Sequence, residues 1–200
     1  TSVSWRFSLL FALAGFMFII AIFGFAKDIK FENVCPLFCM TIVISLFFST
    51  LTILRSDAGH GLYYLILVFT TAWGGDTGAY MVGRFFGKHK LAPHVSPKKT
   101  VEGFIGGVAT SVLFSVIMGL IVRFAVGTEN VPFAVYIAMG LFGGIFAVIG
   151  DLSASVVKRN YNIKDYGKLI PGHGGILDRF DSVIFTAPLI YFLAANLIVL

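Results

Sequence analysis

The sequence predicts an all-α, polytopic integral membrane bundle of about six transmembrane helices. Three observations carry that reading. Of 200 residues, 58% are hydrophobic and only 12% charged, where a soluble domain sits near a quarter charged. The apolar residues fall in long runs, and one core of this size could not hide them all. Twenty-two Phe and twenty-two Gly suit lipid-facing bulk and close helix contact.

Six segments meet the roughly 20-residue requirement for crossing hydrocarbon. They are Trp5 to Ala26, Val34 to Leu54, Leu62 to Val82, Phe104 to Val126, Phe133 to Val157 and Ser182 to Leu200. Helix is the expected conformation, because lipid offers no partner to an open backbone. An N-terminal helix pair over 1–60 precedes a catalytic transmembrane domain over 61–200, whose two long polar loops are 84–103 and 158–181. Cys35 and Cys39, four apart in one apolar run, read as packing rather than as a disulfide or metal site. The chain starts Thr1-Ser2-Val3, and Trp5 to Ala26 lacks a signal-peptide cleavage site, so the expectation is a piece beginning partway through a longer protein.

Charge orients the bundle. Lys27, Lys30, Arg84, Lys88, Lys90, Lys98, Lys99, Lys158, Arg159, Lys164, Lys168 and Arg179 flank one face, against Arg6, Arg55 and Arg123 near the other. By the positive-inside rule the first face is cytoplasmic, which places both long loops there. Attraction to anionic lipid explains the side of these charges but not their clustering in two loops. Nothing in the pattern points to nucleic acid.

Two acids stand inside apolar helices. Asp76 and Asp151 lie roughly 10 to 12 Å below the cytoplasmic ends, at 1.5 Å rise per residue. An ionised carboxylate at that depth costs a few kcal/mol, so such acids face a cavity and hold a cation, or form a buried ion pair or helix-to-helix hydrogen bond. Gly74, Gly75, Gly78 and Gly150 beside them favour the cavity. At the entry to the last helix, Asp178 and Asp181 share a helix face, with Arg179, His173 and several glycines close by. Two acids there complement the helix dipole, yet one would suffice. Carboxylates are ligands that Mg2+ prefers, and substrate phosphates usually complete its shell. Lys158, Arg159, Lys164 and Arg179 in one loop, and Ser96, Lys98, Lys99 and Thr100 in the other, supply counter-charge and donors for phosphate. Thr100 also suits the start of the fourth helix. His173 reads as a phosphate or loop-ordering contact, while the Walker loop, the G-x-G-x-x-G loop, the nucleophile elbow and H-E-x-x-H are all missing.

The run Ser155-Val-Val-Lys158-Arg159-Asn-Tyr-Asn-Ile-Lys164-Asp165-Tyr-Gly167-Lys-Leu-Ile170-Pro171-Gly-His173-Gly174-Gly175-Ile-Leu-Asp178-Arg179-Phe-Asp181 resembles the signature of the phosphatidate cytidylyltransferase family. Trp73-Gly-Gly-Asp76-Thr-Gly-Ala79-Tyr80, Gly83-Arg84, Phe86-Gly87-Lys88 and Ser96-Pro97-Lys98-Lys99-Thr100-Val-Glu102-Gly103 resemble it as well. The resemblance implies a homodimeric enzyme of the cell (plasma or inner) membrane. It implies condensation of CTP with phosphatidic acid to CDP-diacylglycerol and pyrophosphate, with Mg2+ and room for a second cation. It assigns the metal to Asp151, Asp178 and Asp181, and catalysis to these with Lys158, Arg159 and His173. It places Asp76, Ser96, Lys99, Thr100, Lys164, Asp165 and Arg179 around CTP and phosphatidate. Many members carry an acid where this chain has Ala154. Two rivals remain from the residues alone: a CTP-dependent lipid kinase, and a transporter, which the lack of paired broken helices in two similar halves disfavours.

Overall fold

The computed structural model describes residues 12, 15, 16, 19, 23, 31–56, 61–126, 131–167 and 174–197. The chain divides into two compact units, Thr1–Ser49 and Thr50–Leu200. The first holds most of helix α1, Phe31–Arg55, with Pro36 near its start. The second contains α2 (Gly61–Phe86), a hairpin of β1 (Lys90–Ala92) and β2 (Ser96–Thr100), then α3 (Val101–Val126), α4 (Phe133–Asn160) and α5 (Leu177–Leu197).

Four helical segments among the described residues are long and apolar enough to cross a membrane: Phe38–Arg55, Val101–Phe124, Phe133–Asn160 and Leu177–Leu197. The expectation of six is corrected to four among the described residues. Most of Trp5 to Ala26 lies outside the described residues. The Leu62 to Val82 segment does form a helix, α2, but tyrosines, threonines, glycines and Asp76 dilute its apolar character. The all-helical expectation gains one exception, the hairpin inside the 84–103 loop.

Burial in α2 follows Gly61, Tyr64, Leu67, Val68, Thr71, Ala72, Gly75 and Gly78, which is the three-and-four spacing of a single helix face. In α4 the same spacing runs through Tyr136, Met139, Gly140, Gly143, Gly144, Ala147 and Val148. These faces meet Val183, Ala187, Ile190 and Ala194 of α5 in one core. Small residues set the approach of the helices, since association in lipid depends on close packing rather than on a hydrophobic drive. A side chain at Gly75 or Gly107 would strike the facing helix, and Ser111 Oγ between them donates to the Thr71 carbonyl at 2.8 Å. Ser115 Oγ donates to the Tyr136 carbonyl, tying α3 to α4 at 2.5 Å.

The hairpin pairs Lys90 with Thr100 and Ala92 with Ser96 in antiparallel register. Its base is held by Glu102, in the first turn of α3. That carboxylate accepts the Lys88 amide at 3.0 Å, the His89 amide at 3.2 Å and contacts His89 Nδ1 at 2.6 Å. Thr100 Oγ1 accepts the Gly103 amide at 3.1 Å, so Thr100 caps α3 as its sequence position suggests.

The glycines of α4 give a direct test of this packing. A methyl group at Gly140 meets backbone of Val112 and Ser111, whereas at Gly143 it would sit at an ordinary 3.6 Å from Thr186 and Thr71. Gly140→Ala is expected to destabilise the bundle by about 1–3 kcal/mol, the usual cost of overpacking, and Gly143→Ala to be near neutral. Unfolding midpoints of the two variants in detergent check the difference.

Candidate functional site

Acids from three helices line one cavity of about 520 Å³: Asp76 of α2, Asp151 of α4, and Asp178 and Asp181 of α5. The packing that brings them together is local and legible. Gly150 lets the backbone of α4 abut the backbone of Asp181 and Ser182, because any side chain there would collide with them. Ser182 Oγ donates to Asp76 Oδ2 at 3.0 Å, which joins α5 to α2, and the Ser182 amide donates to Asp181 Oδ1 at 2.8 Å. Asp151 lines the same cavity as Asp76 and Asp181. Like charges this close in a poorly solvated cavity call for a counter-cation.

Basic residues of both polar loops enter the same cavity: Arg84, Lys98, Lys99, Lys158 and Arg179, with Asp165 as a fifth acid. Lys99 Nζ stands 2.5 Å from Asp151 Oδ2. Lys158 and Asp178 form a buried pair, with 10% and 8% of their side chains exposed and Nζ 2.8 Å from Oδ1. The Tyr166 ring covers the same ammonium at 5.3 Å.

Asp178 has further partners. Its Oδ2 accepts the Tyr166 amide at 2.8 Å and the Gly175 amide at 2.9 Å. Backbone geometry delivers both donors. After α4, Asn162 takes a left-handed φ of 53°, while the Ile163 amide bonds the Lys158 carbonyl and the Asn162 amide the Arg159 carbonyl. This pair of bonds is a Schellman ending, and it turns the chain back toward α5. Gly174 holds φ 81°, a conformation that suits glycine, and so aims the Gly175 amide at the acid. Tyr166 Oη donates to the Ala154 carbonyl at 3.0 Å. Burial, with the charges of Asp178 and Asp181, pushes the Tyr166 phenol up from its ordinary range and keeps that proton in place. The position at which the chain departs from the familiar pattern thus serves as a backbone anchor.

Of the residues expected at the site, Asp76, Lys99, Thr100, Asp151, Lys158, Asp165, Asp178, Arg179 and Asp181 line the cavity. Ser96, Arg159 and Lys164 are not among its lining residues. Arg159 Nε donates to the Val95 carbonyl in the hairpin turn at 3.3 Å, so it braces one loop against the other. Lys164 is exposed, and His173 lies outside the described residues. Sequence reasoning missed Ser182 and Tyr166. The position of Ser182 beside Asp181 was its only signal; Tyr166 stood inside the family-like run with no role assigned, because its partners, the Ala154 carbonyl, Asp178 and Lys158, meet it only in the folded loop. Tyr80, whose hydroxyl accepts a 2.9 Å hydrogen bond from Arg84 Nη1, also lines the cavity.

Among the described residues, no group of three or more His, Cys, Asp or Glu could hold a metal ion by itself. The donor set does fit a hard divalent cation that arrives with phosphates, since Mg2+ commonly uses one or two carboxylates and leaves the rest of its shell to water and phosphate oxygen.

A model of the cytidylyltransferase family matches residues 2–197. The phosphatidate cytidylyltransferase of Bacillus subtilis (strain 168) is 39% identical over 165 residues, covering 82% of this chain and 60% of that protein. That of Staphylococcus haemolyticus is 39% identical over 181 residues, covering 90% of this chain and 66% of that protein. For Staphylococcus aureus (strain COL) the identity is 44% over 131 residues, 66% of this chain and 48% of that protein. The chain therefore spans between 48% and 66% of the length of these relatives.

The role of Asp178 as loop anchor is testable without turnover. Asp178→Ala should raise hydrogen exchange at the Tyr166 and Gly175 amides by about tenfold or more, the consequence of losing one charged acceptor. Asp181→Asn should leave those two amides at the wild-type rate. Mass-spectrometric exchange on peptides spanning 161–167 and 174–180 reads both.

Proposed function

Because the chain belongs to the cytidylyltransferase family, we propose that it joins CTP to phosphatidic acid, forming CDP-diacylglycerol and pyrophosphate in phospholipid synthesis. The observation that carries this reading is one cavity lined by carboxylates of three helices and by basic residues of two loops. The substrates enter on the names of the relatives, and the chemistry of the cavity supports them.

A phosphate monoester needs no general base, since it is already anionic. One of its oxygens attacks the α-phosphorus of CTP in line, a new P–O bond forms, and the bond to the β-phosphate oxygen breaks. Pyrophosphate leaves with the bonding pair. In this reading Lys98, Lys99, Lys158 and Arg179 neutralise charge that builds on the leaving group. Lys158 is held in place by Asp178, whose two oxygens are engaged by that lysine and by two backbone amides. Of the three acids expected to hold metal, Asp151 and Asp181 are the better donors, with Asp76 available to a second cation. Mg2+ bound there would supply charge neutralisation to the triphosphate. His173 stays a proposed phosphate contact, and Ser96, Arg159 and Lys164 act from the rim.

The cavity belongs at the cytoplasmic side of the cell membrane, because CTP is a cytosolic solute and the basic loops follow the positive-inside pattern. The lipid substrate arrives from the bilayer. A homodimer is proposed from the family pattern alone.

The test is product identification from the purified protein with labelled CTP, phosphatidic acid and Mg2+. Pyrophosphate and CDP-diacylglycerol are expected; CDP with a phosphorylated lipid would mean a kinase instead. Asp151→Asn and Asp181→Asn should each lower kcat by about two orders of magnitude or more while the protein still extracts as a folded bundle.

A further inference from the structure

Two lysines face acids in the cavity, and they are held in different ways. Lys158 makes an aligned hydrogen bond to Asp178 Oδ1 at 2.8 Å and lies under the Tyr166 ring. Lys99 touches Asp151 Oδ2 at 2.5 Å, yet its buried Nζ has no hydrogen-bond partner. An ammonium has three N–H groups to satisfy, and leaving them unaligned away from water is costly. The contact is held by charge rather than by direction. Its stem remains 23% exposed, on a strand of a two-stranded sheet, so the side chain can swing without disturbing a helix. Lys99 is also within electrostatic reach of Asp76.

We propose that Lys99 is an exchangeable counter-cation: it holds Asp151 until a divalent cation takes that carboxylate, and the released ammonium then turns to the phosphates that came with the cation. Loose pairing is what such an exchange needs. A directional pair such as Lys158 with Asp178 would resist it, and no counter-cation at all would leave Asp151 charged and unpaired inside the bundle. A four-carbon stem carrying a point charge suits both partners, because an ammonium has no fixed fork to realign. The inference rests on the proposed nucleotide reaction for the identity of the phosphates, but its first half concerns only the cation and Asp151.

The experiment is Mn2+ binding without nucleotide, read by electron paramagnetic resonance on the protein in nanodiscs. Lys99→Gln and Lys99→Met are expected to bind Mn2+ about tenfold more tightly than wild type, because a competing positive charge has been removed. Lys99→Arg should keep the weak wild-type affinity, and Lys90→Gln, exposed on the same hairpin and not among the cavity-lining residues, should change nothing. Asp151→Asn should abolish the gain in the Lys99→Gln background. Unchanged or weaker Mn2+ binding in both neutral variants overturns the exchange, as does a gain that survives loss of Asp151. A product assay on wild type runs alongside. Tighter Mn2+ binding without CDP-diacylglycerol would keep the exchange and defeat the proposed reaction, and the converse result would do the opposite.

Discussion

Negative charge inside an apolar bundle is the constraint on which the rest of this structure depends. Asp76, Asp151 and Asp181 come from three different helices and line the same cavity. Carboxylates so placed repel one another and lose hydration, and each costs several kcal/mol unless cations or donors answer it. The surrounding architecture can be understood as that answer. Ser182 donates to Asp76 and Asp181, Lys99 contacts Asp151, and Lys158 pairs with Asp178. A pocket that must gather positive charge to exist is also suited to gathering phosphate together with a metal ion.

The helices and loops make separate contributions. Small residues bring α2, α3 and α4 close enough for backbone and hydroxyl contacts, and Gly150 presses α4 onto α5 beside the acids. The described loop residues are set by backbone geometry: Asn162 and Gly174 in left-handed conformations, and Asp178 collecting the Tyr166 and Gly175 amides. Arg159 links this loop to the hairpin, whose own base is fixed by Glu102. Hydrogen-bonded loop residues on packed helices give a cavity its shape before any ligand enters.

Much of this was legible in the residues. Apolar runs named the helices because lipid leaves the backbone no alternative, and acids in such runs drew attention for the same reason. Spacing could not say which acid would meet which cation. Asp178 and Asp181 share a helix face in sequence, yet one turns to a lysine and two amides while the other accepts the Ser182 amide in the cavity that Asp151 also lines. That division depends on the left-handed turn at Gly174, which glycine permits but does not announce. Helix α2 was read as an ordinary span, although the residues that make it a site wall also make it too polar for that description. The hairpin was invisible because its residues look like any basic loop; its pairing is held by Glu102 from the helix that follows.

On the proposed reading, Asp151 and Asp181, rather than Asp178, receive the cation that accompanies the nucleotide. The most direct measurement is an experimental structure with Mn2+ and CTP, using anomalous scattering to locate the metal. The expected result is a peak within coordination distance of the Asp151 and Asp181 carboxylates and of nucleotide phosphate oxygen, with Asp178 still bonded to Lys158. A peak on Asp178, or one away from this cavity, would contradict it.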